Sequence, residues 1–224
     1  MKLRISDYRD ALAIINGVNQ EGMLVHPILN QRYHEFIEAL ESISEEEIIA
    51  EFNREKALKP ENKKASFKSI ASPINTLIRN HLSQYPGWEA ESFLFNDPDY
   101  MKPKTRGDND HTEWRLDFAS EDAFAVEVAF NHGEAIAWNL SKLQISAELN
   151  HVKKGINTMV GIYVCVTTAM KKAGNFDGAV GSYEKVKRYF TPMRNILTAP
   201  IVLIGLEAPE TFYIPNDVRE IVML

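Results

Sequence analysis

Residues 156–168, INTMVGIYVCVTT, constrain this chain more than any other stretch. The run is almost continuously apolar and β-branched in its second half. That is the signature of a strand covered on both faces, as in a sheet sandwiched between helices. Residues 199–205, APIVLIG, form a second run of the same kind. Between the two lie a Gly-rich loop, MKKAGNFDGAVGSYE, and a helical stretch carrying Val186, Tyr189 and Phe190. Ahead of them, residues 136–152 predict a helix with Ile136, Leu140, Leu143 and Ala147 turned inward. Residues 114–130 read as a two-stranded hairpin. Helices, then an antiparallel hairpin, then helix–strand–helix–strand imply an α/β class, with a mixed central β-sheet flanked by helices.

The hairpin also carries chemistry. In its second strand Phe124, Val126, Val128 and Phe130 alternate with Ala125, Glu127 and Ala129. Period-two alternation places the two sets on opposite faces, so Glu127 lies across the strand from a row of large apolar residues. Asp117 closes the apolar part of the first strand, ahead of the turn Ser120-Glu121-Asp122. Pairing the strands makes Asp117 and Glu127 neighbours. Two converging carboxylates repel unless a cation or a shared proton lies between them. A hard divalent ion such as Mg²⁺, which prefers oxygen ligands, suits that arrangement. A hairpin with two solvated acids is the alternative.

The rest of the chain frames these elements. Its 224 residues suit one domain, with a helical part over about residues 1–56 and a core over about 70–210. Tyr33, Phe36, Ile37 and Leu40 have amphipathic-helix spacing, and Ser44 with Glu47 forms a capping box. Residues 57–72 and 96–113 read as polar loops. Between them Ser72 is placed to cap a helix that has Pro73 at its first position and Ile74, Leu77, Ile78 and Leu82 as its buried stripe.

A net charge of −6 argues against a nucleic-acid partner, but total charge does not report local patches. Lysines and arginines cluster at 63–68, 102–106, 153–154, 171–172 and 185–188. The single Cys165 excludes an internal disulfide. With no signal-peptide stretch and no membrane-length apolar run, a cytoplasmic location is expected. The histidines lack zinc-ligand spacing, no Gly-x-Ser-x-Gly elbow is present, and Gly174, Gly178 and Gly181 form no nucleotide loop, so no organic cofactor is expected.

Three blocks, in order, carry a resemblance to a known family: SPINTLIRNHLSQYPGWEAE, LDFASEDAFAVEVAF and APIVLIGL. The chain resembles the type II restriction endonucleases of the BglII/BstYI group, within the PD-(D/E)XK nucleases. The resemblance implies a restriction-endonuclease-like core and a homodimer that cuts both strands of a short palindrome in double-stranded DNA with Mg²⁺. It implies catalytic roles for Asp117, Glu127 and Glu91, and metal binding by Asp117, Glu127 and the carbonyl of Val128. It implies DNA contacts by Asn131 and His132 after the catalytic strand. Asn175, Ser182 and Tyr183 from the Gly-rich loop would add to these, with Lys171 and Lys172 on phosphate. Turn chemistry accounts equally for Asn131-His132-Gly133, and a helix cap with a core aromatic for Ser182 and Tyr183.

One position departs from the family's pattern. Two residues after the Glu, relatives carry Gln, Glu or Lys; here Ala129 occupies that place. Three accounts follow: a neighbour such as Glu134, Lys142 or Glu91 compensates, the protein binds DNA without cutting it, or the site is an active-site variant.

Overall fold

The computed structural model describes residues 1–64, 66–96, 114–148 and 154–224. Its centre is a six-stranded sheet in the order β1-β6-β5-β4-β3-β2. The strands are β1 (Leu3–Tyr8), β2 (Glu89–Phe93), β3 (Arg115–Ser120), β4 (Ala123–Val128), β5 (Thr158–Val166) and β6 (Ile201–Leu206). The middle strands β4, β5 and β6 run parallel to one another. The outer pairings, β1 on β6, β4 on β3 and β3 on β2, are antiparallel. The expected mixed sheet is present, and the turn at Glu121-Asp122 closes the expected hairpin, with Asp122 in the left-handed region at φ 56°.

Alternation along the parallel strands divides the core in two. Phe124 and Val126, Val160, Ile162 and Val164, and Val202 and Ile204 face one layer. Ala125, Tyr163 and Cys165, and Ile201 and Leu203 face the other. The first layer is covered by α1 (Ala11–Asn16), α2 (Pro27–Glu41), α3 (Glu45–Ala57) and α5 (Ala71–Leu82), through residues such as Ile15, Phe36, Phe52 and Ile78. The second is covered by α6 (Ile136–Ala147) and α8 (Tyr183–Phe190), through Leu140, Leu143, Val186 and Phe190. Short helices α4 (Glu61–Lys64) and α7 (Thr168–Ala173) and a small ribbon of β7 (Phe212–Tyr213) with β8 (Val222–Met223) complete the chain. A strand buried on both faces needs apolar residues at every position, which is why its sequence shows no alternation. Close approach of α6 is set at Gly161, where a Cβ would lie 3.0 Å from the Leu143 Cβ.

Several local expectations are corrected. The N-terminal part is not all helical: it opens with β1, paired along its length with β6. Ile5 and Asp7 are exposed on this edge strand, so the segment lacks the apolar run that marks β5 and β6. Ser72 is not the cap of α5; Ile70 takes that place, and the Ser72 hydroxyl donates to Glu55 at 2.6 Å. The segment 57–72 contains the short α4. The Ser44–Glu47 capping box is present, with Glu47 N–H donating to Ser44 Oγ at 3.1 Å and Ser44 N–H to Glu47 at 2.8 Å. The loop expected over 96–113 and the last turn of the helix expected to reach 152 fall largely outside the described residues. Among the described residues no helix is long and apolar enough to cross a membrane.

Candidate active site

Strand register brings the acids together. On β2, Ala90 pairs with Phe118 and Ser92 with Leu116, which puts Glu91 level with Asp117. On β4, Phe118 pairs with Val126, and one further step along both strands puts Asp117 level with Glu127. Glu91, Asp117 and Glu127 thus form one row across three adjacent strands. Each is held differently. Asp117 accepts a 2.7 Å hydrogen bond from the Val128 N–H. Glu127 is buried on the second-layer face, where the Lys142 ammonium of α6 lies 2.6 Å from its Oε1. Glu91 is exposed, with Arg79 at 2.8 Å and Arg115 at 3.9 Å. Its φ of 56° is an unusual left-handed backbone for a non-glycine within a strand.

The electrostatics of the row are dominated by burial. Burial pushes the Glu127 carboxyl up to about 8; Lys142 pulls it down and Asp117 pushes it further up. Burial raises Asp117 as well, against the Val128 N–H and Lys142, which lower it. Two adjacent carboxyls, both raised by desolvation, mark a place where added positive charge is favourable. Glu127 Oε1 makes no aligned hydrogen bond despite its burial, although Lys142 stands beside it as an ion-pair partner. Among the described residues, no group of three or more His, Cys, Asp or Glu side chains is gathered closely enough to hold a metal ion. Asp117 and Glu127 are therefore the two buried carboxyls that the strand register sets side by side.

A hollow opens beside the end of β4. It is lined by Ser72, Asn75, Thr76 and Arg79 of α5 together with Val128, Phe130 and Asn131. The four α5 residues stand at helical spacing opposite the buried stripe. None of the four is among the site residues expected from sequence; that polar stripe is the signal that could have found them.

The same architecture is found among known proteins. A family model described as restriction endonuclease BglII/BglIII matches residues 4–206. The chain belongs to the BglII/BglIII restriction endonuclease family. Accordingly it is a type II restriction endonuclease, an enzyme that cuts DNA at specific sites. Among solved structures it is similar to the crystal structure of restriction endonuclease BglII complexed with a DNA 16-mer. That match has 18% identity and a TM-score of 0.59, covering 99% of this chain and 87% of that one. Free BglII matches at 17% identity and a TM-score of 0.52, covering 95% of this chain and 83% of that one. At these identities the likeness carries the fold. No curated protein matches by sequence. Restriction endonucleases generally use a divalent metal.

In this BglII-family chain the two loops singled out for DNA lie side by side. Gly133 N–H donates to Ala179 O at 2.7 Å and Gly181 N–H to Asn131 O at 3.2 Å, and His132 bridges to Val180. Asn131 and His132 are exposed there. Lys171, Lys172, Asn175 and Ser182 line a second hollow, closed by Tyr213 and Asn216. Within it Lys172 is exposed, whereas the Lys171 ammonium is tied to the carbonyls of Gly178 at 2.6 Å and Val180 at 2.8 Å. Asn175 is buried in the left-handed region at φ 52°, and its Nδ2 has no partner. Ser182 caps α8 by accepting from the Lys185 N–H, and Tyr183 is buried beneath the Arg4 guanidinium, 5.6 Å from the ring centre. Both thus hold structural places in the loop and helix.

Ala129 is buried in the second core, its N–H on Val164 O at 2.8 Å. Of the neighbours able to compensate for it, Glu134 is exposed in the turn Gly133–Ala135, and Lys142 reaches Glu127.

Proposed function

We propose that the chain acts as a single endonuclease domain that hydrolyses phosphodiester bonds in a short palindromic DNA site, using Mg²⁺ held by Asp117, Glu127 and the Val128 carbonyl. The observation that carries this reading is the level pairing of the two acids on β3 and β4 beside the open end of the sheet. The donor set fits a hard cation, since it is all oxygen and both carboxyls are raised by burial. When bound, Mg²⁺ supplies Lewis-acid stabilisation of phosphate charge and lowers the pKa of a bound water.

The chain's own residues do the rest. The Val128 N–H fixes the Asp117 carboxylate so that its second oxygen turns to the site. Arg79, exposed on α5 at the rim of the hollow, faces the path of a phosphate backbone and holds Glu91 until DNA arrives. Asn131 and His132 reach for base edges, where an Asn side chain suits adenine. Asn175, set back from the surface, supports that loop together with Ser182 and Tyr183. Lys172, with Lys171 behind it, provides positive charge for phosphate. A symmetric palindrome calls for a symmetric protein, hence a homodimer. A cytoplasmic location follows from the same role.

Incubating the purified protein with phage DNA and Mg²⁺ at moderate salt tests the reading. Discrete fragments are expected. Band shifts on duplex in Ca²⁺ without cutting in Mg²⁺ would reduce it to DNA binding. Absence of any DNA binding at low salt, where phosphate contacts are strongest, would sink it.

A further inference from the structure

We infer that Lys142 is a positioning residue of this site, holding Glu127 from α6 in place of the side chain that β4 lacks at Ala129. The inference rests on the proposed nuclease reading and deepens it. Ala129 shares a face with Glu127 and ends in a methyl group, so β4 itself offers Glu127 no partner. Lys142 comes to that face from α6, the helix that covers it, with its Nζ 2.6 Å from Glu127 Oε1. The same ammonium donates to Arg115 O at 2.9 Å, two residues before Asp117. One cation therefore ties the strand bearing Asp117 to the strand bearing Glu127.

The pair is not a surface salt bridge. Side-chain exposure is 10% for Lys142 and 4% for Glu127. A buried pair of this kind gives little stability compared with an apolar pair of the same volume. The buried face of α6 carries Ile136, Leu140 and Leu143 with the neutral Asn139, Gln144 and Ser146, and Lys142 is its one charged residue. A charged pair on that face is explained by what it does for the acid. Bound on one oxygen by Lys142, Glu127 has its other oxygen left for the side of Asp117, its level neighbour on β3.

The test uses the full chain and the variants K142Q, K142R, E127Q, E127Q/K142Q and A129K/K142A. In metal-free protein, thermal midpoints of E127Q, K142Q and the double variant form a double-mutant cycle. Expected is a double variant no less stable than the weaker single one. On a phage DNA fragment that the wild type cuts, K142Q should cut roughly 10- to 100-fold more slowly under single-turnover conditions. Its affinity for that fragment in Ca²⁺ should be unchanged. K142R should retain more activity than K142Q. A129K/K142A should regain part of the lost rate, because the cation returns to the face of Glu127 from β4. A folded K142Q that cuts at the wild-type rate, or additive midpoints, would overturn the inference. Failure of K142Q, K142R and A129K/K142A all to fold would assign Lys142 to folding alone and overturn it as well. If the wild type cuts no DNA, the nuclease reading fails by itself, and the metal-free cycle still decides whether Lys142 holds Glu127.

Discussion

Asp117 performs two tasks with one carboxylate: it accepts the Val128 N–H, and it faces Glu127 across the hairpin. Two substitutions separate those tasks. Asp117→Asn keeps an oxygen for the Val128 N–H and removes the charge. Cleavage should fall on the order of 10²-fold or more, with little change in the urea midpoint. Asp117→Ala removes the acceptor too, and should cost about 1–3 kcal/mol of stability on top of the lost cleavage. Equal stability of the two variants would show that the hydrogen bond contributes nothing. Period-two patterning made Asp117 and Glu127 legible in the sequence, because facing positions in a hairpin follow from register. Arg79 and Lys142 were harder to read. Each arrives from a separate helix whose packing decides the meeting, and nothing local distinguishes a lysine that will be buried beside an acid from one that will point to water.

At the scale of elements, α3 shows the sign of the charge effects most cleanly. The Ser44 backbone N–H holds the Glu47 carboxyl below its ordinary value, aided by His81 and opposed by burial. A depressed carboxyl stabilises the fold above the ordinary pKa, and that contribution is lost as the pH falls through the depressed value. Glu47→Gln should therefore be less stable than the wild type at neutral pH, with the gap closing below about pH 4 in urea melts at each pH. Ser44→Ala removes the other half of the box and should cost ~1 kcal/mol at neutral pH. The first strand offers a second test. β1 covers the edge of β6, whose residues are wholly apolar apart from a glycine. Deleting residues 1–9 should expose an unpaired apolar edge and yield a chain that aggregates, as light scattering would show. β1 escaped sequence reading because an edge strand half in water alternates weakly and sits among helices.

For the molecule as a whole, the net charge of −6 and the proposed DNA substrate pull against each other. On the proposed reading, binding comes from local cations such as Lys172 and Arg79, so it should be steeply salt-dependent. Affinity for duplex in Ca²⁺ is expected to drop by ~10³-fold between about 50 and 200 mM salt. A flat response would place the contacts elsewhere than on phosphate. Sedimentation velocity should find a species of twice the 25.5 kDa chain mass. A monomer on DNA would remove the symmetry argument for a palindrome.

What the sequence determined by itself was the class of fold and the pair of acids. Both depend on periodicities of two and on long apolar runs, which are local properties of the chain. Tertiary structure decided the rest: the edge strand β1, the meeting of the Asn131 loop with the Val180 loop, and Lys142 crossing from α6 to Glu127. Those depend on how helices lie over a sheet. A buried charge finds its partner through that packing, however far apart the two residues stand in the chain.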